Sequence, residues 1–155
     1  TGGGRIIGEA CHYLDLMISL NGSLITEICM NALGKTPSKN TDNASILVKF
    51  ENGSQGVVNY FSNGAKSYPK ERIEVYSGNR TFIIDNFRTT RGYGIKGFKA
   101  KKSKIDKGHG EQFKKLLSSM ESGSKPIIPF NEIINSSKAS LAALESLVQG
   151  GWVKI

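Results

Sequence analysis

The chain is poor in the residues that would make it disulfide-stapled, metal-bound or membrane-spanning. Its 155 residues include two cysteines, Cys11 and Cys29, and two histidines, His12 and His109. A structural zinc site takes about four ligands and a disulfide framework several pairs, so no metal is expected. Both thiols read as free, which suits a reducing cytoplasm. No apolar run approaches the roughly 18 residues of a membrane span, and no membrane partner is expected. Acid is also short: 13 Asp and Glu stand against 21 Lys and Arg, for a formal net charge of +8. The excess is concentrated from Lys96 to Lys107 and at Lys114 and Lys115. These lysines are interspersed with Gly and Ser and lack the aromatic interleaving and arginine bias of a base-reading surface, so no specific nucleic-acid binding is expected. Thr1 is neither an initiator methionine nor the head of a signal-like segment, and the chain is expected to be a piece of a longer protein.

What is present points to one domain spanning 1–155, a length at which a single core is the default. From Arg5 to Leu20 the apolar residues Ile6, Ile7, Cys11, Leu14, Met17 and Ile18 recur near a period of 3.6, predicting an amphipathic helix stopped by Asn21-Gly22. The period then becomes 2, and Leu24–Leu33, Ala44–Phe50, Gln55–Phe61, Arg72–Tyr76 and Thr81–Asp85 read as strands of one sheet. Glu51-Asn52-Gly53-Ser54 and Ser77-Gly78-Asn79-Arg80 are short turns that join them as antiparallel hairpins, without room for crossover helices. Phe87–Arg91 continues the strand pattern weakly, and Gly92–Gly108 gives no firm strand. Two helices close the chain. One runs from His109 to Glu121 with Phe113, Leu116, Leu117 and Met120 on one face. The other runs from Asn131 to Gln149 with Ile133, Ile134, Leu141, Leu144, Leu147 and Val148. The order predicts an α+β fold with helices packed on one sheet face.

The chemistry is concentrated at the start. Gly2-Gly3-Gly4 leads into Arg5-Ile6-Ile7-Gly8-Glu9-Ala10-Cys11-His12-Tyr13-Leu14-Asp15. On a regular helix Glu9, His12 and Asp15 are successive i, i+3 neighbours, and an imidazole between carboxylates suits proton exchange near neutral pH. The glycines lack the G-x-G-x-x-G spacing and a preceding strand, so they are no dinucleotide fingerprint. They read either as a flexible helix entry or as a loop where a ligand approaches the backbone. His109 opens a predicted helix. No Ser/His/Asp arrangement stands out.

The run from Gly2-Gly3-Gly4 through Cys11-His12-Tyr13-Leu14-Asp15 resembles the helix opening of the C-terminal domain in the glucose-fructose oxidoreductase, inositol dehydrogenase and MocA (Gfo/Idh/MocA) family. Pro69–Val75, Lys107-Gly108-His109, Ile128-Pro129-Phe130 and Glu145-Ser146-Leu147 resemble later landmarks, especially in a subgroup linked to polysaccharide biosynthesis. The resemblance runs nearly the length of the chain. It implies an open, mostly antiparallel sheet that binds substrate and forms homo-oligomers, and it implies a separate N-terminal Rossmann domain, absent from this chain, that holds NAD or NADP. The fragment alone is then expected to bind no cofactor and to be inactive. The resemblance makes His12 the acid/base residue. Beside it Glu9, Asp15 and His109 are candidate substrate contacts: Glu9 is placed to accept from the imidazole or to touch substrate hydroxyls, Asp15 to orient His12 or cap a local network, and His109 is otherwise a polar residue at a helix start, with Gly2, Gly3 and Gly4 at most an approach to the cofactor. The substrate it implies is a sugar, cyclitol or nucleotide sugar. Many members carry an aspartate four residues before the histidine, where this chain has Gly8, so the alternative is a non-catalytic assembly or ligand-sensing domain.

Overall fold

Ile6, Ala10, Leu14 and Ile18 recur every fourth residue and all are buried, so the opening stretch winds as a helix with one line against the core. It begins as a π-helical turn, Ile6–Ala10, in which the Cys11 N–H donates to the Ile6 carbonyl five residues back. Helix α1 follows over Cys11–Asn21. Gly22, at φ 63°, ends it as expected, its N–H donating to the Ile18 carbonyl at 2.8 Å.

The structure, a computed structural model, describes residues 4–155. Its strands are β1 Ile25–Ala32, β2 Asn43–Phe50, β3 Gln55–Phe61, β4 Arg72–Ser77, β5 Arg80–Asp85, β6 Thr89–Tyr93, β7 Ala100–Lys102 and β8 Val153–Lys154. Two further helices are α2 His109–Ser122 and α3 Phe130–Gln149. The chain falls into two compact units, one formed by residues up to Asn63 with Ile128–Ile155, the other by Gly64–Ile127. The single strand run expected from periodicity is divided between them as two four-stranded antiparallel sheets, ordered β3-β2-β1-β8 and β4-β5-β6-β7. The α+β architecture with open, antiparallel sheets is as the sequence predicts. The two-residue β8 is too short to show a period, and β7 lies in the Gly/Lys-rich stretch that shows none.

In the first unit α1 and α3 pack with the inward face of the sheet, where Ile28, Met30, Ile46, Val48 and Val58 join the helical core residues. The buried side of α3 differs from the expected one. It is built from Asn135, Ser136, Ala139, Ser140, Ala142, Ala143 and Ser146, while Ile133, Ile134, Leu141 and Val148 are exposed and Leu144 and Leu147 are partly buried. Small residues let the helix backbone approach the sheet closely, and two polar ones fasten it. The Asn135 amide accepts from the Ile25 N–H at 2.8 Å and donates to the Ile25 carbonyl at 2.9 Å, as a neighbouring strand would. Ser146 Oγ accepts from the Met30 N–H at 2.9 Å and donates to the Gly151 carbonyl at 2.6 Å. Both satisfy backbone groups that burial would otherwise leave unpaired. The opposite face of this sheet is open: the cross-strand row Cys29, Leu47 and Val57 lies next to Asn31, Ser45 and Asn59, and Leu47 and Val57 are exposed.

The second unit is held more loosely. Gly78 and Asn79, at φ 53° and 59°, make the tight turn between β4 and β5. Phe82 and Phe98 meet with ring centroids 6.3 Å apart, and a Cβ at Gly92 would lie 2.6 Å from the Phe98 ring, so a larger residue there would displace that ring. Glu71 is the one buried residue between 64 and 127. Lys107 Nζ reaches its carboxylate at 3.0 Å and lies 5.5 Å from the Phe87 ring centroid. No residue of α2 is buried, and the apolar face predicted for it is exposed.

Candidate functional site

The π-turn changes the geometry expected from i, i+3 spacing, because one more residue per turn rotates the side chains before Cys11 relative to those after it. His12 and Asp15 line a cleft of about 360 Å³ whose other walls are Ile7, Cys11 and the α3 residues Ser136, Ser137, Ser140 and Leu141. Glu9 is not part of that lining; its carboxylate accepts from the Tyr60 hydroxyl of β3 at 3.0 Å. The expected stack of three is thus split into a histidine and an aspartate at the cleft and a glutamate tied to the sheet.

Glu9 belongs to a second polar group. Burial is the largest cause of a rise in the Tyr60 hydroxyl pKa, and the hydrogen bond to Glu9 adds to it, so the phenol stays protonated and donating. The nearby Tyr60, with the charges of Glu9 and Asp42, raises the Arg5 guanidinium pKa further. The Glu9–Tyr60 hydrogen bond ties the π-turn to β3. At the cleft, burial pushes the Cys11 thiol pKa up, so it lines the wall as a neutral thiol rather than a thiolate.

The α3 serines have their hydroxyl protons engaged within the helix. Ser136 and Ser137 donate to the Ile133 carbonyl at 3.1 and 2.8 Å, and Ser140 donates to the Ser136 carbonyl at 2.8 Å. Chemically the cleft offers an imidazole able to exchange a proton, an adjoining carboxylate, hydroxyl oxygens and apolar walls from Ile7 and Leu141.

Gly2 and Gly3 lie outside the described residues. Gly4 adopts φ 82°, and a Cβ there would come 3.3 Å from the Asn40 Cα, so the backbone itself requires glycine. His109 opens α2 in the second unit and is exposed. No metal-binding group of three or more His, Cys, Asp or Glu occurs among the described residues. Sequence reading missed Tyr60, Arg5 and the α3 serines. Tyr60 carried a signal, since a tyrosine two residues after inward-facing Val58 needs a partner for its hydroxyl. The serines carried none, because serine on a helix is ordinarily solvated.

No curated protein matches the chain. Solved structures match its fold throughout. An oxidoreductase domain protein from Kribbella flavida is 20% identical with a TM-score of 0.79, over 100% of this chain and 51% of that one. A UDP-N-acetylglucosamine 3-dehydrogenase from Acidithiobacillus ferrooxidans is 15% identical with a TM-score of 0.70, over 88% of this chain and 45% of that one. A levoglucosan dehydrogenase in complex with NADH and levoglucosan is 16% identical with a TM-score of 0.73, over 95% and 49%. The chain spans about half the length of these solved relatives. A family model described as the GFO/IDH/MocA C-terminal domain matches residues 1–82, more than half of the chain, and the protein belongs to that family.

Proposed function

We propose that this chain is the substrate-binding domain of a cytoplasmic NAD(P)-dependent oxidoreductase acting on a sugar, cyclitol or nucleotide sugar, with His12 as its acid/base residue. The observation that carries the reading is the cleft in which His12 and Asp15 face the serines of α3. Family membership and the dehydrogenase names of two relatives support the reaction class. The chain has no strand-linked glycine fingerprint of its own, so its residues do not by themselves fit a dinucleotide. In this reading a Rossmann domain in the full-length protein holds the nicotinamide, which takes or gives the hydride. This chain binds the hydroxylated carbon, His12 accepts or returns the hydroxyl proton, and Asp15 adjoins it at the cleft. Glu9, tied to Tyr60, sets the turn that presents His12. The domain alone is expected to be inactive.

In the full-length protein, His12→Ala is expected to lower turnover by about 10² to 10⁴, the usual contribution of a general acid or base, with folding and dinucleotide binding retained. Wild-type turnover in that variant overturns the assignment. A second reading, a non-catalytic assembly or ligand-sensing domain, is favoured by Gly8. A Cβ there meets nothing within 4 Å, so space does not explain the missing acid, and a lost relay would.

The reading extends to assembly. The open face of the first sheet sets the row of Cys29, Leu47 and Val57 between polar rows, with Lys49 Nζ 4.3 Å from the Trp152 ring centroid at its side. A second copy of the chain is the proposed partner of that face. Light scattering is expected to report an oligomer that Leu47→Glu dissociates without loss of helical circular dichroism; a monomeric wild type counts against it.

A further inference from the structure

Resting on the reading of the His12 cleft as a substrate site, we infer that this cleft accepts a neutral, hydroxyl-rich portion of the substrate and rejects a phosphate or carboxylate, with Ser136, Ser137 and Ser140 setting that preference. The reason is the direction of their hydrogen bonds. A serine hydroxyl has one proton and two lone pairs. All three protons point to carbonyls of α3, from Ser136 and Ser137 to Ile133 and from Ser140 to Ser136. What remains for a ligand is acceptor capacity. The Asp15 carboxylate oxygens likewise offer lone pairs, and no lysine or arginine is among the lining residues. Ile7 and Leu141 supply apolar wall.

A sugar ring or cyclitol presents donor hydroxyls and C–H faces, and these complement such a lining. An anionic group presents only acceptors. It would face Asp15 with no compensating cation, a pairing of like with like that costs affinity. A substrate carrying a phosphate or carboxylate therefore seats that group outside this cleft. The preference does not depend on which carbon is oxidised.

The test is ligand binding to the full-length protein, followed through the His12 ring resonances in NMR spectra and assigned by their loss in His12→Ala. Matched probes are myo-inositol against myo-inositol 1-phosphate, and D-glucose against D-glucuronate. In each pair the neutral member is expected to shift the His12 resonances with a dissociation constant at least about tenfold lower than its anionic counterpart. Ser137 is exposed, so Ser137→Lys leaves the fold intact, adds a cation at the cleft and is expected to abolish or reverse that preference. Three results overturn the inference: equal or tighter binding of the anions to the wild type, no His12 response to either neutral probe, or an unchanged preference in Ser137→Lys. Because the readout is binding, a His12→Ala variant with normal turnover would sink the acid/base role and leave this inference standing.

Discussion

The two units of this chain solve the folding problem differently. Residues 64–127 carry fifteen lysines and arginines against six acids, a net +9, while the other ninety-one residues carry six against seven, a net −1. Among the described residues, all sixteen buried hydrophobic ones belong to the near-neutral unit; the charged unit buries none, and its one buried side chain is Glu71. A sheet gains stability by covering one face with apolar contact. In the first unit α1 and α3 supply that cover, whereas in the second the helix α2 is exposed and the strands rely on pairing, the Phe82–Phe98 contact and the Glu71–Lys107 ion pair. The His12 cleft thus stands on the unit that has a core, which holds its lining side chains in place.

That contrast predicts unequal responses to truncation. Leu14→Ala, at a fully buried position, is expected to cost about 2–5 kcal/mol, and Val75→Ala, at a half-buried position of β4, about 1 kcal/mol or less. Urea titration of the two variants measures both, and comparable losses would mean that the second unit has a tighter interior than its exposure indicates. Next in size is Asn135→Ala, which strands the buried N–H and carbonyl of Ile25. A loss of about 2–3 kcal/mol is expected, with amide exchange speeding first in β1. An unaltered exchange pattern would show that the α3 bolt is not what holds the strand. The smallest effect is electrostatic. Raising salt from low to physiological strength screens the +9 unit's self-repulsion, so amide protection in β4–β7 should rise while β1–β3 stay unchanged. Equal gains in both sheets would erase the distinction.

Local pattern made most elements legible. Period-2 alternation located β3 at Gln55–Phe61 to the residue, and the Asn21-Gly22 and Ser77–Arg80 signals ended α1 and turned β4 into β5. His12 and Asp15 were legible as a pair because both lie within α1, where i, i+3 spacing holds. Glu9 was misplaced because the π-turn lies between it and the regular helix, and nothing in Ile6–Ala10 announces an extra residue per turn. The face of α3 was misread because hydrophobicity ranks Ile133 and Leu141 above Ala139 and Ser146, whereas close packing against a sheet selects small side chains.

The sequence by itself determined the charge excess, the order of the helices and longer strands, the antiparallel sense imposed by short turns and the pairing of His12 with Asp15, because each follows from composition or from residues a few positions apart. Tertiary structure alone decided that the strands form two sheets, that Asn135 and Ser146 fasten α3 to β1 across more than a hundred residues, and that three α3 serines come to line the cleft of His12. Those outcomes depend on which distant backbone groups meet and need partners once water is excluded, and no local window of sequence contains both halves of such a pair.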